Sequence, residues 1–146
     1  MNTSGDMPDF HPEVVVLYCQ NCVGKGAGIE VAFQKATGFA ARAAVMACSS
    51  RVEVSHVLKI LEQGADAVEL VACPDETCRF LVGSARAEKR IEYARRLLEE
   101  IRIGADRVGL TRGAGLTAEA LLDVAARRAE AVRHLGPGPM KKGNNP

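Results

Sequence analysis

The chain has 146 residues, 47% of them hydrophobic and 25% charged, the size and composition of one domain with a single core. Lys plus Arg number 19 against 18 Asp plus Glu, a net charge of +1, so no global field attracts nucleic acid or an anionic membrane. Aromatic content of 4% with no Trp argues against a base-stacking surface, and no apolar run approaches the roughly 20 residues that span a bilayer.

Residues 1–12, polar with two prolines, read as a flexible N-terminal arm without the basic-then-apolar pattern of a secretory signal. The expected location is therefore cytoplasmic, where thiols stay reduced. The body spans 13–136. Its first strand, Val14–Tyr18, runs into Cys19, and a short helix follows from Gly28 to Lys35. A second strand, Ala43–Ala47, runs into Cys48. The next helix, Val54–Gln63, places Val54, Val57, Leu58 and Leu61 on one face. A third strand, Ala67–Ala72, runs into Cys73. The long helix Ser84–Ile103 has a buried stripe of Ala87, Ile91, Ala94, Leu98 and Ile101, and its outer face carries Glu88, Glu92 and Arg96 at four-residue spacing. A fourth strand, Val108–Thr111, precedes a helix capped by Thr117 and ending near Leu135. Residues 137–146, rich in Pro and Gly, are expected to form a disordered tail.

Short apolar strands alternating with helices predict an α/β fold, an open doubly wound, mostly parallel four-stranded sheet flanked by helices. The strand order stays open. In such a sheet all strands end at one edge, where these folds bind ligands. Cys19, Cys48 and Cys73 end three strands, and Cys22 and Cys78 sit in the loops that leave that edge. Five cysteines in a reducing compartment fit metal or redox chemistry better than a disulfide framework. The gaps Cys19-Gln-Asn-Cys22 and Cys73-Pro-Asp-Glu-Thr-Cys78 both occur in iron–sulfur proteins. The preferred ligand set is Cys19, Cys22, Cys73 and Cys78, with Cys48 as a neighbouring thiol or substitute ligand.

The backbone N–H groups of a loop with Gly24, Gly26 and Gly28 suit either a phosphate or the sulfurs of a cluster; with Cys22 just before the loop, and neither GxGxxG nor GxxxxGK(S/T) present, the cluster is the preferred reading. Lys25, Arg51 and Arg79 lie near the cysteines in sequence. A positive charge about 6 Å from a cluster, at an effective dielectric near 20, favours its reduced form by at most roughly 3 kcal/mol, on the order of 100 mV. Arg51 is the preferred candidate; Lys25 and Arg79 read equally well as solvated cations. His11, His56 and His134 have no ligand spacing to any cysteine, and no acid–base or hydrolytic set is visible. Three other readings are open: a thiol–disulfide oxidoreductase using Cys19 and Cys22, a structural four-cysteine zinc site, and, least favoured, a flavodoxin-like flavin binder.

Four segments carry a family resemblance: VVVLYCQNC at 14–22, CSSR at 48–51, EQGADAVELVAC at 62–73 and CRFLVGSARAEKRIEYARRLLEE at 78–100. Over residues 14–135 the chain resembles the delta subunit of methyl-viologen-reducing hydrogenase, the small iron–sulfur partner of heterodisulfide reductase. The resemblance implies one [2Fe–2S] cluster. It also implies an electron relay between a hydrogenase or formate dehydrogenase and a flavoprotein subunit of the heterodisulfide reductase type, or within an anaerobic aromatic-acyl reductase complex. All five cysteines and Arg51 match family positions. Gln20-Asn21 replace the aromatic usual between the first two cysteines, and Arg79 replaces the usual His after the last.

Overall fold

The computed structural model describes residues 10–23, 28–46, 52–74 and 83–138. They form a four-stranded, all-parallel sheet in the order β2-β1-β3-β4, with β1 at Glu13–Cys19, β2 at Ala40–Met46, β3 at Ala67–Ala72 and β4 at Val108–Arg112. The helices are α1 (Ile29–Phe33), α2 (Val54–Glu62), α3 (Gly83–Glu100) and α4 (Ala118–Val132). α1 packs against α4, and α2 against α3. The sheet therefore carries helices on both faces, the doubly wound α/β arrangement that alternating elements imply.

Strand composition follows position. β3 is central and buried along its whole length, AVELVA. β1, rich in Val, pairs on both sides. Its Val14 and Val16 join one core cluster with Ala67, Val71 and the apolar face of α4, and its Val15 and Leu17 join the other with Val57, Val68, Leu70, Ile91 and Leu98. β2 begins at Ala40, three residues before the apolar run suggests. As an edge strand with alternating exposure, it owes its extent to pairing with β1, Glu13 to Ala40 through Cys19 to Met46, and not to its own propensity.

The helix boundaries fall close to expectation, with one instructive exception. Ala87, Ile91, Ala94 and Leu98 are buried as the stripe requires, but Ile101 is exposed. α3 stops at Glu100, and Arg102 takes a left-handed conformation, φ 64°. The amides of Ile103 and Gly104 then both donate to the Leu98 carbonyl, which closes the helix before Ile101 reaches the core. His56 has a local role. Its Nδ1 accepts from the Glu53 amide at 3.1 Å and caps α2.

Both ends of the body reach further than the sequence suggests. Phe10 and Pro12, assigned to the arm, are buried, and Arg133 donates to the Phe10 and Gly38 carbonyls. Pro137 and Gly138, assigned to the tail, are held at the edge of the sheet where the strands begin. Arg107, buried in the turn that enters β4, donates to the carbonyls of Asp66, Gly136 and Pro137, and Asp66 accepts from the amides of Glu13 and Gly138. Composition marks these segments as polar and Pro-rich; the burial of two charged side chains that need partners is what orders them. The rest of the expected arm and tail lies outside the described residues. No helix of the described residues is long and apolar enough to cross a membrane.

Candidate metal centre

Parallel strands deliver Cys19 and Cys73 to the same edge. Cys19 is the last residue of β1, and Cys73 directly follows β3, its immediate neighbour in the sheet. Gln20–Cys22 then form a single 3-10 turn that folds Cys22 back beneath the end of β1. Along β3, Ala67, Glu69 and Val71 alternate onto the face covered by α4, and Cys73 joins the core cluster on that face.

The three sulfurs meet. Cys22 Sγ lies 3.3 Å from Cys73 Sγ, and Cys73 Sγ lies 3.7 Å from Cys19 Sγ. All three lie within 4.8 Å of one another, all are buried, and none is in a disulfide. The Val71 carbonyl is 3.9 Å from Cys22 Sγ. Burial pushes the Cys22 thiol well above its ordinary value near 9.0, and the adjoining Cys73 and Cys19 thiols add to the effect. Cys22 therefore keeps its proton at neutral pH unless a cation replaces it.

The donor set fits such a cation. At metal–sulfur distances of about 2.3 Å, two thiolates on one tetrahedral metal lie about 3.8 Å apart. The observed separations of 3.3 and 3.7 Å are close to that edge. Soft sulfur donors select iron–sulfur clusters or zinc over hard cations. Cys48 and Cys78, the remaining expected thiols, lie outside the described residues, as do Gly24, Gly26, Lys25, Arg51 and Arg79.

A fourth segment borders the site that the cysteine pattern does not reveal. The β4–α4 loop, residues 113–117, touches both cysteine-bearing arms. The Gly113 amide donates to the Ala72 carbonyl at 3.0 Å, and the Leu116 amide donates to the Cys22 carbonyl at 2.8 Å. Val23 and Leu116 form an isolated parallel bridge. Thr117 then caps α4 by accepting from the Ala120 amide, and Ala118 is buried in the same core cluster as the three cysteines. The signal available in the sequence is indirect: a loop after a fourth parallel strand returns to the same edge.

Residues 14–136 match the family model described as methyl-viologen-reducing hydrogenase, delta subunit. The vhu iron–sulfur subunit of the F420-non-reducing hydrogenase of Methanocaldococcus jannaschii is 30% identical over 94 residues, 64% of this chain and 70% of that one. Its counterpart from Methanococcus voltae is 24% identical over 131 residues, 90% of this chain and 98% of that one. A stretch of 54 residues, 37% of this chain, is 33% identical to 7% of a ferredoxin:CoB-CoM heterodisulfide reductase subunit of Methanosarcina mazei. Relatives named as hydrogenase iron–sulfur subunits, beside a buried three-thiol site, support an iron–sulfur cofactor and a role in electron transfer. The match over 14–136 covers all four strands but for Glu13, both helical layers and all three gathered thiols, and the chain belongs to the family of the methyl-viologen-reducing hydrogenase delta subunit.

Proposed function

We propose that the chain holds one [2Fe–2S] cluster on Cys19, Cys22, Cys73 and Cys78, with Cys48 as a neighbouring or substitute thiol, and relays electrons in the cytoplasm between larger redox subunits. The observation that carries this reading is the meeting of three buried sulfurs within 4.8 Å of one another, drawn from two strands and a turn. When bound, the cluster supplies a one-electron couple without bond chemistry on a substrate. The protein's part is positional. β1 and β3 present two thiols side by side, the 3-10 turn supplies a third, and the apolar faces of β1, β3 and α4 exclude water from them. Gly24 and Gly26 bring backbone N–H groups to the cluster's sulfurs, and Arg51 favours its reduced form.

The donor is a hydrogenase or formate dehydrogenase module, and the acceptor a flavoprotein subunit of the heterodisulfide reductase type. Two kinds of kinship support that pairing: relatives named as hydrogenase subunits, and a stretch similar to a small part of a heterodisulfide reductase. An anaerobic aromatic-acyl reductase complex is the alternative set of partners. A thiol–disulfide oxidoreductase is disfavoured, because burial drives Cys22 away from the thiolate that such chemistry needs.

The sulfur separations also suit a single tetrahedral metal, which keeps a structural zinc site as the second reading. Metal and acid-labile sulfide analysis of anaerobically purified protein decides between them. About two irons and two sulfides per chain, with an EPR signal appearing on reduction, are expected for the cluster. Zinc at one per chain without iron establishes the second reading. A chain that takes up neither metal, even on anaerobic reconstitution, overturns both.

A further inference from the structure

The β4–α4 loop carries no cysteine, yet among the described residues it bonds to both arms of the site. The Cys22 arm leaves β1 and the Cys73 arm leaves β3, both beyond the last ladder pair of the two strands, Tyr18 with Val71. The loop supplies one bond to each. The Gly113 amide extends the β3–β4 ladder by one step to the Ala72 carbonyl, next to Cys73, and three residues later the Leu116 amide reaches the Cys22 carbonyl. Ala72 and Cys22 are both fully buried, so these bonds operate away from competing water.

The loop is built to make both contacts. Gly115, at φ 62°, turns the chain in a left-handed conformation that returns Leu116 towards β1. Gly113 leaves room for the returning side chain: a Cβ there would lie 3.0 Å from Leu116 Cδ2 and 3.1 Å from Cδ1. Thr117 starts α4 immediately afterwards, and Ala118 packs into the cysteine cluster, so the loop is anchored on its far side by a fifteen-residue helix.

From this geometry we infer that Gly113–Leu116 is a clip that fixes the separation of the Cys22 arm from the Cys73 arm, with the Leu116 N–H as its decisive contact. Leu116 is a positioning residue for the metal centre and touches no metal itself. The inference rests on the reading that these thiols hold a metal, and deepens it. Contacts that hold ligands in place commonly tune metal affinity by about 10–100-fold when removed.

The test replaces Leu116 with its α-hydroxy acid, which converts the amide to an ester and removes one N–H while keeping the side chain. In reconstituted protein, chelator-driven metal release should accelerate by at least about ten-fold, and the EPR g-values of the reduced cluster should shift. Leu116→Ala, which keeps the N–H, should stay within about two-fold of the parent if the bond, and not the side chain, dominates. Gly113→Ala keeps both amides but presses on Leu116, and should shift the g-values while thermal unfolding stays near that of the parent. This second variant reads the same coupling even if the ester form folds poorly. Parent-like release and spectra in both the ester and Gly113→Ala forms overturn the clip. A parent protein that takes up no metal overturns the proposed function instead, and the clip with it.

Discussion

The two edges of the sheet solve opposite problems. Where the strands begin, Asp66 and Arg107 are buried charges, and the chain surrounds them with its own partners: the amides of Glu13 and Gly138 for the carboxylate, and the carbonyls of Ile103, Asp66, Gly136 and Pro137 for the guanidinium. Where the strands end, Cys19, Cys22 and Cys73 are also buried, and they crowd against one another, which with burial raises the pKa of the Cys22 thiol. Charge at the first edge is balanced within the fold. At the second, thiolate charge becomes favourable only when a cation arrives. The first edge is thus a source of stability, and the second is a receptor.

Substitutions should separate the two. Asp66→Ala leaves the Glu13 and Gly138 amides without their buried acceptor, while the Asp66 carbonyl still accepts from Arg107, and should cost about 1–3 kcal/mol in denaturant unfolding, without changing metal bound per folded chain. Equal metal loss and destabilisation would show that the edges are coupled. Cys73→Ala should do the reverse. Cys73 is the sulfur that both other thiols approach, so metal uptake should fall to background, while the metal-free chain loses only about 1 kcal/mol, as for a small core truncation.

A pH series sharpens the contrast further. Cys22 holds its proton more tightly in the folded, metal-free chain than in the unfolded one. Its contribution is therefore fully present below the ordinary thiol value near 9.0 and is lost as pH rises above it. Unfolding of the metal-free chain should become easier by up to about 1.4 kcal/mol per pH unit in that range, and Cys22→Ala should flatten the slope. Metal loading, which displaces the thiol protons, should release acid and proceed more readily as pH rises. The smallest effect is expected for Thr117→Ala, which removes the cap of α4 beside the thiols and should cost about 1 kcal/mol.

Much of the fold is legible in the chain itself. The Val-rich run at 14–18 and the entry to Cys73, apolar but for Glu69, mark central strands because a parallel sheet covered on both faces excludes water from its inner strands. The stripe of Ala87, Ile91, Ala94 and Leu98 marks α3 for the same reason at helical period. Ile101 shows where periodicity stops being informative: the pattern continues, but a left-handed Arg102 ends the helix, and a backbone turn of that kind leaves no mark in hydrophobic spacing. β2 shows the same limit from the other side. Its first residues are strand only because β1 offers them hydrogen-bonding partners. Phe10, Pro12, Pro137 and Gly138 look like loose ends by composition, and become ordered through partners far away in the chain.

By itself the sequence determined that Cys19 and Cys73 end two strands of one parallel sheet, and hence share an edge, because period and composition dictate strand identity and parallel strands run the same way. Only the tertiary structure decided which thiols touch. The order β2-β1-β3-β4 sets β1 beside β3, and that lateral choice brings Cys22 to within 3.3 Å of a thiol 51 residues away and lays the loop after β4 across both arms. Neighbours across a sheet are selected by the packing of whole helical layers, which is a property of the assembled core and not of any local stretch of chain.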